Sequence, residues 1–216
     1  MPRQVDHAGR RRIIAEAVCH LADARGLEGV TLRDVAASAQ VSMGAVQRCF
    51  RTKEEMLVFA LEYIGERISD RMRARLVKSP AQSAGTALGH AATEISLLSE
   101  EHRAEARVWL AFVAQAAVNK ALAETLKANY TVLQDAFTRL ISEADGNAHP
   151  ALPLDAQHEA RTLLALADGL TAHVLIGHLT PQAAQDVLHA HLSSLWERSA
   201  RPPHPTSAAP SHRSPV

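Results

Sequence analysis

The residues best suited to chemistry in this chain lie between Thr31 and Lys53, in the segment TLRDVAASAQVSMGAVQRCFRTK. Gln47 and Arg48 stand together shortly after the small pair Gly44 and Ala45. In the DNA major groove, glutamine can form paired hydrogen bonds with adenine, and arginine with guanine. Small residues ahead of them would let the backbone approach the bases closely. The segment therefore predicts a base-reading surface of outward-facing residues, namely Met43, Gly44, Ala45, Gln47 and Arg48.

A helix-turn-helix would position these side chains, and the segment has the layout of that motif. Thr31 and Ser42 can each cap a short helix. Apolar residues recur where two such helices would pack against each other, at Val35, Ala36, Val41, Val46 and Phe50. The second helix of the motif enters the major groove. Gln47 and Arg48 therefore fall on the predicted recognition helix.

Contacts with the DNA backbone are expected around this motif. Residues 10–12 are three arginines that precede the predicted first helix, and a basic run attracts phosphate, with a solvated terminus as the alternative. Thr52 and Glu55 have the spacing of a capping box, so the start of a fourth helix would offer backbone amides to phosphate. The predicted phosphate contacts come from Arg12, Thr31, Ser42, Thr52 and Lys53.

Residues 12–57 resemble the DNA-binding domain of the TetR family of transcriptional regulators. The family's pattern is matched at Gly26, Thr31, Val35, Ala36, Ala39, Val41, Ser42, Gly44, Val46, Phe50, Lys53 and Leu57. Gln40 departs from it, because the turn usually has glycine there, and a positive φ would strain glutamine. Gln47 replaces the usual tyrosine, so the family's contact with DNA at that position cannot be carried over. Cys49 replaces the usual histidine or tyrosine.

The C-terminal half resembles the regulatory half of family members of the betaine-regulator type, through the segments ARVWLAFVAQAAV and LADGLTAHVLIGHL. The resemblance implies an effector cavity, and a four-helix bundle formed by the last two helices of two subunits. The ligand-binding residues it suggests are His90, Leu97, Trp109, Phe112, Gln115, Tyr130, Leu133 and Phe137. No cluster of Arg or Lys marks an anionic effector, so an apolar or weakly polar small molecule is expected.

The last two predicted helices carry more apolar residues than one side of a monomeric helix needs. This surplus predicts a homodimer with the contact residues Leu163, Leu166, Leu170, Val174, Leu188, Leu192 and Leu195. Burial of these residues inside one subunit stays open as the alternative, because periodicity cannot separate a core from a dimer face.

Composition and spacing indicate an all-α protein. Of 216 residues, 47% are apolar but only 4% aromatic, and apolar residues recur at intervals of three and four. We expect a fourth helix over about 52–78 and further helices at about 82–99, 102–118, 120–144, 156–177 and 181–198. The predicted domains are a DNA-binding domain at 1–53, a regulatory and dimerisation domain at 54–198, and a Pro- and Ser-rich disordered tail at 199–216.

Charge is divided unevenly along the chain. Residues 1–53 carry nine Lys/Arg against five Asp/Glu, whereas residues 54–216 carry fourteen against eighteen, so a net charge of zero hides a basic first domain. Such a domain fits a double-stranded DNA operator as its partner. No apolar run is long enough to cross a bilayer and no signal peptide is present, so a cytoplasmic protein without membrane contact is expected.

Together these patterns predict a homodimeric repressor released by an effector. The alternatives are an activator, or a helix-turn-helix module for nucleoid packaging or protein contact. An enzyme is not expected, because the sequence has no Gly-rich phosphate loop, nucleophile elbow or HExxH motif. No cofactor or metal is predicted, since the histidines at 173, 178, 189 and 191 lack the spacing of ligands on one helix face. A redox role for Cys19 and Cys49 is left open.

Overall fold

A computed structural model describes residues 7–78, 83–145 and 154–200, and in these ranges the chain is helical without any strand. The helices are α1 His7–Arg25, α2 Leu32–Ser38, α3 Met43–Cys49, α4 Lys53–Lys78, α5 Ala84–Ile95, α6 Arg103–Ala116, α7 Lys120–Asp145, α8 Ala156–Leu175 and α9 Pro181–Ala200, with a 3₁₀ turn at Glu100–His102. The predicted all-α class is confirmed. The tail predicted at 199–216 lies, beyond Ala200, outside the described residues.

Helices α1–α3 form a small domain, which we call the head, around one apolar cluster. Its members are at most 1% exposed and come from all three helices and the residue after them: Ile14, Val18, Val35, Val46 and Phe50. These are residues at the helical spacing that the sequence predicts for a helix-turn-helix. Each of the three helices contributes an apolar stripe to this cluster, and the cluster holds the head together.

The predicted helix caps form. Thr31 Oγ1 and Ser42 Oγ each accept a hydrogen bond, at 3.2 Å, from the backbone amide three residues further on. At the start of α4 one half of the capping box forms, because the Glu55 amide donates to Thr52 Oγ1 at 3.0 Å. The Glu55 carboxylate accepts, at 2.8 Å, from the amide of Arg51, the residue before the N-cap. Each cap supplies a partner for a backbone donor that the helix leaves unpaired.

Helix α1 begins earlier than predicted, at His7, so the three arginines at 10–12 lie within its first two turns and do not precede it. Arg11 packs its guanidinium over the rings of Phe50 and Phe59, at 4.7 Å and 4.2 Å from the ring centroids. A stacked arginine of this kind stabilises the contact between α1 and the start of α4. Arg12 is exposed.

Helix α4 belongs to both halves of the chain. Its buried residues Met56, Leu57 and Leu61 complete the head's apolar cluster, which continues through Phe112 of α6 and Leu122 of α7. Helices α5–α9, which we call the body, enclose a second cluster whose most deeply buried members are Leu88, Phe137, Ile141, Leu163, Leu188 and Leu195. The head is thus docked on α4 and on α6 of the body.

Most of the residues predicted for dimerisation are buried inside their own chain. Six of the seven are at most 7% exposed and pack in the body's cluster, namely Leu163, Leu170, Val174, Leu188, Leu192 and Leu195. Leu166 is half-buried against the same cluster. The prediction that they form the dimer contact is therefore wrong for these six. The sequence pattern correctly predicts a buried helix face. It does not show whether helices of the same chain or of a second subunit cover that face.

The turn between α2 and α3 holds a residue in an unfavourable backbone conformation. Gln40 has φ 54°, in the left-handed region, and its amide donates to the Ala37 carbonyl at 3.2 Å. The strain anticipated for glutamine at this position is therefore present. A residue with a Cβ costs about 1–2 kcal/mol in this region.

We predict that Gln40→Gly raises the free energy of unfolding by about 0.5–1 kcal/mol, because relief of the left-handed strain exceeds the extra chain entropy that glycine loses on folding. Urea denaturation of the full-length protein, followed by circular dichroism, measures the change. Gln40→Ala is the matched control, since alanine keeps the Cβ, and it should stay within about 0.5 kcal/mol of wild type. A Gln40→Gly protein no more stable than Gln40→Ala would contradict strain at this turn.

Candidate DNA-reading helix and ligand cavity

The outer surface of α3 carries most of the residues predicted to read DNA. Met43, Gln47 and Arg48 are exposed. Gly44 is half-buried, and a Cβ placed on it would meet only the Arg48 guanidinium, at 3.6 Å. The helix therefore presents a strip of bare backbone at Gly44 beside long side chains that can donate hydrogen bonds to base edges.

The prediction that Ala45 faces outward is wrong. Ala45 is 6% exposed, and it lies with Val46 and Cys49 on the buried stripe of α3. Residues three and four apart share a helix face, so a helix that buries Val46 and Cys49 also turns Ala45 inward. The candidate base-reading surface is reduced to Met43, Gly44, Gln47 and Arg48.

The start of α2 is poorly suited to a phosphate, although Thr31 was predicted to contact one. The Thr31 hydroxyl donates to the Asp34 carboxylate at 2.7 Å. This hydrogen bond, with the Arg25 guanidinium 3.1 Å away, holds the pKa of Asp34 below its usual range. A charged carboxylate therefore already occupies the positive end of α2, where a phosphate would need to sit.

The other residues predicted for phosphate contact remain available. Ser42 and Thr52 are exposed, and each hydroxyl accepts from its own helix, which leaves its proton free to be donated. Arg12 is exposed and Lys53 is half-buried. Their contacts with DNA stay predictions.

A cavity of about 320 Å³ lies between α4 and the body helices α6, α7 and α8; we call it the α4 cavity. Of the eight residues suggested as ligand-binding, three line it: Trp109, Tyr130 and Leu133. Its other lining residues are Glu62, Gly65, Glu66, Ile68, Ser69, Met72, Arg73, Ile95, Asn129, Val132, Leu164, Ala167 and Asp168. Nearly half of the wall comes from α4, the helix that also completes the head.

The remaining suggested ligand residues lie elsewhere. Leu97, Phe112 and Phe137 are at most 3% exposed and fill the two apolar clusters. His90 lines a separate, polar cavity with His102 and His189. Gln115 is half-buried on α6 and is not among the residues that line the α4 cavity. These positions were predicted from helical periodicity. Because a filled core uses the same apolar residues as a cavity wall, periodicity cannot separate the two.

Sequence reasoning missed the most distinctive group in the α4 cavity, the carboxylate of Asp168. Trp109 Nε1 donates to Asp168 Oδ1 at 3.1 Å, and the Tyr130 hydroxyl donates to Oδ2. Burial raises the pKa of Asp168, while these two hydrogen bonds act in the opposite direction. The available signal was a single acid in the apolar stretch LLALADGLTAHVL, where a charged residue needs a reason to be buried.

Polar contacts tie the head to the body beside α4. Arg107 of α6 donates to Asp23 of α1 at 2.5 Å, and Tyr63 of α4 donates to Glu16 of α1 at 2.8 Å. Further along, Arg71 of α4 lies 2.6 Å from Glu105 of α6. The first two contacts join α1 to α6 and to α4, and the third joins α4 to α6.

The cysteines and histidines do not add a second site. Burial raises the pKa of Cys19 to about 12, so its thiol carries almost no thiolate near neutral pH and is a poor candidate for redox chemistry. The rings of His173 and His178 lie 4.9 Å apart at the end of α8. Within residues 7–78, 83–145 and 154–200, no group of three or more His, Cys, Asp or Glu is arranged to hold a metal ion.

Comparison with known proteins gives the same family for both halves. Residues 14–58 match the model for bacterial regulatory proteins of the tetR family, and residues 84–197 match that for the BetI-type transcriptional repressor, C-terminal. The HTH-type transcriptional regulator PksA of Bacillus subtilis is 30% identical over 205 residues, which is 93% of this chain and 97% of PksA. The HTH-type transcriptional regulator BetI of Escherichia coli is 28% identical over 171 residues, 79% of this chain and 84% of BetI.

Solved structures share the fold. A transcriptional regulator from Rhodococcus sp. Rha1 superposes with a TM-score of 0.77 at 27% identity, over 89% of this chain and 99% of its own. A regulator from Saccharomonospora viridis, solved in complex with choline, superposes with a TM-score of 0.73 at 24% identity, over 88% and 96% of the two chains. None of the helices in the described ranges could span a membrane.

The two family models together cover the head and most of the body. The C-terminal model spans more than half of the chain, and PksA is matched over nearly its whole length. The N-terminal model covers α2, α3 and the caps at Thr31, Ser42 and Thr52. The chain therefore belongs to the TetR family, whose members are DNA-binding transcriptional regulators of the helix-turn-helix type.

Proposed function

We propose that this chain is a homodimeric repressor whose two α3 helices read a double-stranded DNA operator, and that a small molecule in the α4 cavity releases it. The observation that carries the proposal is the double role of α4. Its first turns complete the head's apolar cluster, and residues from Glu62 to Arg73 line the cavity. A ligand in the cavity therefore touches the helix on which the head is built.

Base reading is assigned to Gln47 and Arg48, beside the bare backbone at Gly44. Both long side chains are exposed, and neither forms an ion pair with a described residue of its own chain. Because arginine and glutamine each offer geometry for paired hydrogen bonds, they suit purine edges in the major groove. A regulator of this kind works on chromosomal DNA, so we expect it in the cytoplasm, and no catalytic step belongs to the proposal.

The proposed dimer contact lies on the outer faces of α8 and α9, opposite the buried leucines. Beyond Arg161, one outward side of α8 carries small or apolar residues: Ala165, Gly169, Ala172 and Ile176, the last just after the helix and 77% exposed. On α9, Val187 is 43% exposed and Ala190 is exposed on the same side. Small residues let helix backbones approach, so two copies of this face could form the four-helix bundle expected for the family.

Induction is proposed to act through the separation of the two heads. Two recognition helices reach successive major grooves only when they lie about 34–36 Å apart. Tilting α4 would move each head, because the contacts of Asp23, Glu16 and Met56 tie α1 to α4 and α6. A ligand that prefers the tilted form lowers operator affinity by the ratio of its own affinities for the two forms.

Gln47→Ala and Arg48→Ala should each weaken operator binding by about 1–3 kcal/mol per lost base contact and relax the preference at particular base pairs. Fluorescence anisotropy with the operator and its single-base variants measures both effects. Arg139→Ala is the control, since it removes an exposed arginine on α7, in the body, and should leave binding unchanged. If both variants bind every operator sequence as wild type does, α3 does not read the bases. If wild type binds random DNA as tightly as the operator, the nucleoid-module alternative is favoured.

Val187→Glu should convert the dimer to a folded monomer, because it places a carboxylate in the proposed contact between the α9 helices. Sedimentation velocity gives the oligomeric state, and circular dichroism shows whether the helices are kept. The control is Ala128→Glu, which adds the same charge to an exposed position on α7, outside the proposed contact. A Val187→Glu protein that remains dimeric at micromolar concentration would rule out this face.

Effector and operator should weaken each other's binding by the same factor. A thermal-shift screen with small cations, uncharged alcohols and carboxylates supplies ligands that stabilise the protein. The affinity of each ligand is then measured with and without saturating operator, with random DNA as the control. If a ligand binds with the same affinity in the presence and absence of operator, that ligand does not release the protein from DNA.

A further inference from the structure

We infer that a second cavity, at the C-terminal end of α4, binds a small organic acid through the guanidinium of Arg75. This cavity, which we call the polar cavity, is the one that His90, His102 and His189 line, and its volume is about 480 Å³. The inference goes beyond the proposed function, because it concerns a different site. The α4 cavity and the polar cavity have no described lining residue in common.

The polar cavity lies where four segments of the chain meet. Arg75 comes from the end of α4, Glu94 from α5, His102 from the 3₁₀ turn, and Gln185 from α9. Among the described lining residues, Leu98 has the one large hydrocarbon side chain. The volume falls within the range of about 300–1,000 Å³ that is typical of sites for small molecules. The wall therefore suits a small polar ligand and not an apolar one.

The buried carboxylate in this wall is already paired, so it does not attract a cation. Glu94 is 7% exposed, and its two oxygens accept from different arginines: Oε1 from Arg75 at 2.8 Å and Oε2 from Arg71 at 3.3 Å. The other carboxylate, that of Glu101, has a side chain that is 78% exposed. Water screens a charge in that position. A cationic ligand would thus find no unpaired carboxylate inside the cavity.

Arg75 is one end of a series of ion pairs in which positive charges outnumber negative ones. Arg67 and Arg71 lie 3.7 Å and 2.6 Å from Glu105, and Arg71 and Arg75 share Glu94. Three guanidiniums therefore face two carboxylates. The surplus charge lies at the two ends of the series, on Arg67 and Arg75, and Arg75 is the end that lines the polar cavity.

The Arg75 guanidinium has donors to spare. Its Nη1 donates to Glu94, and its side chain is 45% exposed. A guanidinium has five N–H donors in one plane, and two of them can bind both oxygens of a carboxylate or two oxygens of a phosphate. Because the surplus charge and the free donors are on the same side chain, an acidic group is the ligand that Arg75 favours.

Side chains from α5 and α9 add further hydrogen-bonding groups. His90 Nδ1 is a buried atom with no hydrogen-bond partner. Gln185 and His189 line the cavity and form no hydrogen bond or ion pair within the described part of the chain. A neutral imidazole can carry its proton on either nitrogen, and an amide group donates two protons, so all three side chains can donate to an anion. A polar acid would give these groups the partners that they lack.

The test uses two pairs of probes, and within each pair the carbon skeleton is the same and the charge differs. Malonate is compared with malonamide, and glycerol 3-phosphate with glycerol. Isothermal titration calorimetry on the full-length protein at constant ionic strength gives the affinities. We expect at least one acid to bind at least about tenfold more tightly than its uncharged partner, the ratio of one charge-assisted hydrogen bond. The pair that shows the difference tells whether the acidic group is a carboxylate or a phosphate.

The decisive variant is Arg75→Gln, which keeps a long polar side chain, removes the charge and leaves Glu94 paired with Arg71. It should weaken binding of the acid at least about tenfold and leave the uncharged partner unaffected. Arg139→Gln is the matched control, since it removes an exposed guanidinium from α7 and should change neither affinity. Circular dichroism shows whether each variant is folded.

A second variant tests the wall formed by α9. Gln185→Glu keeps the length of a half-buried lining side chain and adds a carboxylate, which repels an acid. It should also weaken binding of the acid at least about tenfold. This variant leaves Arg75 and its partner Glu94 in place, so it decides the question if Arg75→Gln does not fold.

Two results would overturn the inference. The first is that neither acid binds better than its uncharged partner. The second is a preference for the acid that survives in folded Arg75→Gln, or in Gln185→Glu if Arg75→Gln is unfolded. Both results are independent of operator binding and of the α4 cavity, so the inference and the proposed function fail separately.

Discussion

The packing of α4 against two apolar clusters at once is the constraint on which the rest of this structure depends. Met56, Leu57 and Leu61 bury one part of the helix in the head, and Ile68 and Met72 reach the body and its cavity. A helix of 26 residues is stiff over such a length. One helix therefore both packs in the head and lines the cavity, and the proposed coupling of ligand to operator depends on this arrangement.

Gln40 and Asp168 each keep a feature that is unfavourable on its own. Gln40 holds a left-handed backbone in the turn that sets the angle between α2 and α3, and the strain is tolerated because the head's cluster fixes both helices. Asp168 is a half-buried carboxylate in the wall of the α4 cavity, held by Trp109 and Tyr130.

The base-reading surface shows why residue type alone is an incomplete guide. Gln47 and Arg48 are exposed as predicted, because polar side chains on a short helix turn away from an apolar stripe. Ala45 has no polarity to reveal its side, and only the packing of Val46 and Cys49 shows that it is buried. Thr31 is similar: its capping role follows from sequence, but the hydrogen bond that its hydroxyl donates to the Asp34 carboxylate depends on local geometry.

The sequence by itself determined the all-helical class, the helix-turn-helix, the caps at Thr31, Ser42 and Thr52, and the family, because all of these depend on local periodicity and on backbone groups a few residues apart. Only the tertiary structure decided what covers each apolar stripe. It placed Leu163 and Leu188 in the chain's own core and turned Ala165 and Val187 outward. It also brought Trp109, Tyr130 and Asp168 together from three helices, since hydrogen bonds across 38 and 59 residues leave no periodic trace in a sequence.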